Sequence, residues 1–115
     1  MRFMVMVKAN GESEAGIEPS SEDFDEMIKF NERLGAEGRI VFAEGLTSSS
    51  EATRVWFDGD AEPKVTDGPF AETKELVAGF WILNGESLEE IVELMKQLPC
   101  SDDQVGVIEI RALDS

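Results

Sequence analysis

The chain holds 25 Asp and Glu residues and no histidine, and that combination limits the chemistry it could perform. The usual general base, the usual activator of a nucleophile and the commonest transition-metal ligand are all missing with histidine. Proton transfer would have to run through a carboxylate, with Lys, Arg, Ser or Thr in support. Cys100 is the single cysteine, which excludes an internal disulfide and a multi-cysteine zinc site. It follows Pro99 with no cationic neighbour to favour a thiolate, so it reads as inert. No carboxylate spacing supports a hard-cation site, and neither a metal nor a cofactor is expected.

The densest run of chemically capable residues is Asp67-Gly68-Pro69-Phe70-Ala71-Glu72-Thr73-Lys74-Glu75. Asp67 opens a turn, where an Asp accepts backbone hydrogen bonds at little cost, and Gly68-Pro69 is turn chemistry in itself. The same turn would deliver a carboxylate, the Phe70 ring, Glu72 and Lys74 to the mouth of an apolar strand. If partly buried, Asp67 would have its pKa raised toward neutrality and could serve as the acid or base that histidine usually supplies. Lys74 reads as a solvated ion-pair partner or as an anchor for a ligand anion. Arg54 reads as a partner of Asp67 or Glu44, or as a guanidinium holding a carboxylate or phenolate. Asn31 falls at about 340° on a helical wheel started at Phe24, inside an apolar stripe, so its amide must pair with backbone or line a pocket. Asp67 is thus the candidate catalytic residue, and Arg54, Phe70, Glu72, Lys74, Glu44 and Asn31 are candidate ligand-binding residues.

The elements that must position these groups follow from periodicity. Residues 3–9 predict a strand, bounded by Asn10-Gly11, and residues 11–21 a loop. A helix then opens at Ser20 or Ser21, carries Phe24, Met27, Ile28, Phe30 and Leu34 on one side, and closes at Gly35 and Gly38. Residues 40–43 predict a second strand. Residues 53–57 and 64–66 flank Asp58-Gly59-Asp60 as a small hairpin. Residues 76–83 are apolar at nearly every position, as in a strand buried on both faces. Ser87-Leu88-Glu89-Glu90 is a capping box for a second helix with Leu88, Ile91, Val92, Leu94, Met95 and Leu98 inward, and Pro99 ends it. Residues 105–111 predict the last strand.

Two strand–helix–strand halves predict an α+β fold, a ferredoxin-like βαβ-βαβ sandwich with an inserted hairpin and one antiparallel sheet covered by two helices. At 115 residues it should form a single domain. Two helices cover only one sheet face, yet Met4 and Met6 oppose Phe3, Val5 and Val7, and Leu76, Phe80 and Ile82 oppose Val77, Trp81 and Leu83. Both faces are apolar, so a second copy packed sheet against sheet is the expected cover.

A formal charge of -15, with ten scattered cations, repels phosphate backbones and anionic lipid. Nucleic acid and membrane are not expected partners. The apolar start is too short for a membrane span and carries no cleavage region, so a cytoplasmic location is expected.

The run at 67–75 resembles, almost letter for letter, the signature of the YCII-related family in its DGPF-domain branch. Phe3-Met4-Val5, Glu44-Gly45-Leu46, Ala52-Thr53-Arg54-Val55 and Gly79-Phe80 also fall where that pattern places them, so the resemblance spans nearly the whole chain. It implies a ferredoxin-like domain that dimerises through its sheets, as in the dimeric α+β barrel group, with a small pocket between sheet and loops. The family's few known roles include dehydrochlorination of a chlorinated hydroxyquinone, and some branches carry a His-Asp pair; here Asp67 is present and the histidine is not. Genes of the DGPF branch often stand beside sigma-factor genes, which implies a regulatory association.

The resulting expectation is a small-molecule-binding homodimer performing proton transfer or elimination on a hydroxylated or aromatic compound. Asp67 would be the acid or base, and Arg54 or Lys74 the anion anchor. The alternative is a non-catalytic ligand-binding or protein-interaction module tied to transcription regulation. A pocket enclosing Asp67 would favour the first.

Overall fold

In the computed structural model, which describes residues 1–9, 21–59, 61–70, 76–99 and 106–114, the first strand, β1 (Arg2–Lys8), lies inside a four-stranded sheet. It pairs antiparallel with β5 (Val77–Asn84) and with β6 (Ile108–Ala112), while β2 (Ile40–Gly45) forms the far edge beside β5. The order β2-β5-β1-β6 is that of two strand–helix–strand halves joined through α1 (Ser21–Ala36) and α2 (Leu88–Met95). The α+β ferredoxin-like fold expected from the sequence is the one observed. Between β2 and β5 the chain makes a 3-10 turn (Ser49–Glu51) and then a separate ribbon of β3 (Thr53–Trp56) and β4 (Lys64–Asp67), here called the arm.

Alternation along the strands divides the sheet into two faces. Phe3 sits opposite Leu83 and Val5 opposite Trp81, and all four are buried against Phe30 and Leu34 of α1 and Ile91, Leu94 and Met95 of α2. Each such burial contributes roughly 1.5–3 kcal/mol. Phe30 meets Trp81 edge to face, with centroids 6.4 Å apart at 75°. Met4, Met6, Phe80 and Ile82 alternate onto the other face, where Phe42 is half exposed and its ring lies 5.9 Å from that of Phe80. Glu109 on that face pairs with Lys8 at 3.6 Å and Arg111 at 2.7 Å. No described helix lies over this face, and no helix among the described residues is long and apolar enough to cross a membrane.

The helices are bounded much as their sequences predict. Gly38 takes the left-handed φ of +71° that ends α1. The Ser87 hydroxyl accepts from the Glu90 amide at 3.2 Å, completing the expected N-cap of α2. Arg39 joins the two halves, since its guanidinium binds Glu37 and Glu90 while its main chain pairs with Asn84. The Arg39 hydrogen bond, followed by the Glu86 amide, holds the Glu90 carboxyl below the usual carboxylate range.

Three expectations need correcting. The buried stripe of α1 is narrower than drawn: Phe24 and Ile28 are exposed because they sit on the flank of the line through Met27, Phe30 and Leu34. Leu88, in the first turn of α2, is exposed as well. The last strand begins at Ile108 rather than at residue 105. Of the loop predicted over residues 11–21, residues 11–20 lie outside the described residues, as does Cys100, and Ser21 already belongs to α1.

Candidate functional site

Between α1 and the β2–β5 end of the sheet lies a cavity of about 510 Å³, within the size range of small-ligand pockets. Its walls are largely apolar, with Met27 from α1, Val7 from β1, Ile40 and Ala43 from β2, and Trp81 from β5. Gly79 lets β5 lie close to β2, because a Cβ there would come within 3.1 Å of the Glu44 carbonyl oxygen. Glu44 also borders the cavity, but it is paired opposite Phe80, so alternation sends its carboxylate toward the open sheet face.

Asn31 is the polar side chain that α1 contributes to this wall. Its Oδ1 accepts a hydrogen bond from the Trp81 indole Nε1–H at 2.7 Å. Of the two roles the sequence allowed, Asn31 lines the pocket, and its partner is a side chain rather than backbone. The apolar stripe flagged Asn31, but Trp81 as its partner lay fifty positions away and carried no local signal.

The arm leaves the sheet after β2 and returns before β5, at the same end as the cavity. Its pairing sets Thr53 opposite Asp67 and Arg54 opposite Thr66. Directly opposed residues share a face and neighbours alternate, so Asp67 and Arg54 project from opposite faces of the ribbon. Asp67 is exposed, and its Oδ1 accepts from the Thr53 hydroxyl at 3.1 Å. The amides of the turn itself go elsewhere, Gly68 N–H to the Ala52 carbonyl at 2.9 Å and Phe70 N–H to the Ser49 hydroxyl at 3.0 Å. Gly68 must be glycine here, since a Cβ would fall 1.7 Å from the Ser49 carbonyl oxygen.

On the other face the Arg54 guanidinium stacks 3.7 Å above the Phe70 ring and 6.0 Å from Trp56. The expected ion pair with Asp67 or Glu44 is not formed; Asp67 is on the wrong side, and the aromatic platform takes its place. Of the sequence-derived candidates, Arg54 and Phe70 come together on the arm. Asn31 and the main chain of Glu44 meet at the cavity. Asp67 lines neither the cavity nor the Arg54 face, and Glu72 and Lys74 lie outside the described residues. Ser49, which fastens the motif from a neighbouring turn, escaped the sequence reading because a serine-rich loop looks like a plain connector.

The sequence pattern of the YCII-related domain matches residues 1–114 of the chain. The chain belongs to the YCII-related family. This YCII-related chain is 40% identical over 52 residues to an uncharacterized protein, R00369, of Rhizobium meliloti strain 1021, a match covering 45% of the chain and 42% of that protein. The chain therefore spans under half the length of that curated relative. Among solved structures it is similar to the 5-chloro-2-hydroxyhydroquinone dehydrochlorinase of Burkholderia phenoliruptrix AC1100, determined with 2,5-dihydroxybenzoquinone bound. That similarity covers 99% of this chain and 94% of the other at a TM-score of 0.56 and 15% identity, a likeness of fold.

Proposed function

We propose that this YCII-related chain, of the DGPF branch and cytoplasmic, is a small-molecule-binding homodimer that holds a ring-sized, oxygenated compound beneath α1. The cavity carries this reading: about 510 Å³ of largely apolar wall with one inward amide matches the make-up of pockets for ring-sized ligands. A protein of the same fold that binds a dihydroxybenzoquinone adds support. The dimer is supported by the open sheet face, where Met4, Met6, Phe42, Phe80 and Ile82 need a cover, and a second copy offers the same face in return.

Trp81 borders the cavity and supplies the test. In a Trp56→Phe background the remaining indole, Trp81, should change its emission on titration with 2,5-dihydroxybenzoquinone. Adding Ala43→Phe, which fills the cavity, should abolish the response. A silent Trp81 across hydroxylated quinones and phenols would sink the reading.

Proton transfer or elimination with Asp67 as the base is the second reading, favoured by the dehydrochlorinase activity named for the similar fold. It requires a ligand that reaches the arm, because the Asp67 carboxylate stands outside the cavity and is held by Thr53.

A further inference from the structure

The orientation of one amide gives the cavity a polarity. An indole N–H can only donate, so the atom of Asn31 that faces Trp81 across 2.7 Å is its oxygen. The Nδ2 group is therefore turned away from Trp81, and among the described residues it has no hydrogen-bond partner. Asn31 and Trp81 both line the cavity. Of the other side chains of that wall, Val7, Ile40, Ala43 and Trp81 offer no acceptor and Met27 only a weakly accepting thioether, while Glu44 directs its carboxylate to the opposite sheet face.

We infer that the cavity is a donor site, in which Asn31, fixed by Trp81, presents Nδ2–H to a bare acceptor oxygen on an otherwise apolar ring. The ligand class is a ring ketone, quinone or phenolate rather than a hydrocarbon or an ammonium compound. Trp81 acts as the positioning residue. With its oxygen anchored to the indole, the amide cannot flip to offer an acceptor without leaving the indole N–H unpaired in the core. An apolar wall alone would accept any ring of suitable size; the fixed donor adds a preference for the oxygen.

This inference rests on the small-molecule reading above, and a pair of inert probes separates the two. α-Tetralone and tetralin share a fused-ring skeleton and differ by one carbonyl oxygen. Both are titrated into the Trp56→Phe protein and its Asn31→Asp variant at pH 8, reading Trp81 emission. The expected result is roughly tenfold tighter binding of the ketone, as one hydrogen bond predicts. In Asn31→Asp the carboxylate can still accept from Trp81 but has nothing to donate, so the preference should vanish or reverse while tetralin still binds. Equal affinity for both probes in the parent protein would overturn the donor inference and leave the small-molecule reading standing. A ketone preference that survives Asn31→Asp would overturn it too, by placing the donor elsewhere. If neither probe nor any hydroxylated quinone binds the parent protein, the small-molecule reading itself fails, and the inference with it.

Discussion

The sheet-and-helix body and the arm hold their shapes by different means. In the body, residues such as Leu34, Leu83 and Ile91 are fully buried, and shape follows from packing. On the arm every one of the eight strand residues except Arg54 is exposed, and order comes from a β-ladder, two side-chain hydrogen bonds and a guanidinium stacked on Phe70. The cavity belongs to the packed region and the signature motif to the exposed one. Binding and the Asp67-Gly68-Pro69-Phe70 segment should therefore respond to different mutations, although they lie at the same end of the sheet.

The largest effect should come from the body. Leu83→Ala or Leu34→Ala should lower stability by about 2.7–5 kcal/mol in denaturant unfolding, as for other buried leucines. Val55→Ala on the arm should stay within about 0.5 kcal/mol, as for surface positions. Equal losses would mean that the arm is packed against something, and the contrast would collapse. Phe42→Glu on the open face should convert a dimer to a monomer in sedimentation at micromolar concentration, since a carboxylate there cannot be desolvated without a partner. If the parent chain is itself a stable monomer, the sheet-to-sheet arrangement is wrong.

Gly68→Ala should cost about 1–3 kcal/mol, the range for forcing atoms into an occupied space, because the new methyl meets the Ser49 carbonyl. Its affinity for α-tetralone should match the parent's. A parallel loss of affinity would show that the arm and the cavity are one site.

Asp67→Asn should change stability by under about 1 kcal/mol in thermal melts, since the retained amide oxygen can still accept from Thr53 and the bond is exposed. Lost activity with an unchanged melt would support Asp67 as a base; a melt well below the parent's would make it structural. The smallest effect is a pH profile at Glu90. Its folded pKa is lowered, so its contribution is present above the unfolded value, about 4.3, and is lost as pH falls through the lower folded value. Arg39 stays charged throughout. The melting difference between the parent and Glu90→Gln should be flat from pH 8 to 6 and shrink below about pH 4.3.

The body was legible in the sequence because its signals are local and repeated. Strand alternation at Phe3, Val5, Trp81 and Leu83, and the cap at Ser87, each identify an element without reference to the others. The candidate site was legible only in its residue types. By residue type Arg54 reads as a partner of Asp67 or Glu44, or as a guanidinium that holds a ligand anion. The ribbon register, with Thr53 opposite Asp67, sets Arg54 and Asp67 on opposite faces, and no short window of sequence states that register. Asn31 stood out as a polar residue in an apolar stripe, yet its meaning depended on an indole brought in by another strand.

The interior position of β1 has a consequence for how the chain comes together. Phe3 is fixed between Leu83 and Ala112, so β1 must wait for two strands made well after it. Among the described residues its two neighbours are β5 and β6, and closing such distant pairings is slow compared with winding α1. During synthesis the segment carrying Met4 and Met6 remains an unpaired apolar strand, the kind of edge that recruits other chains.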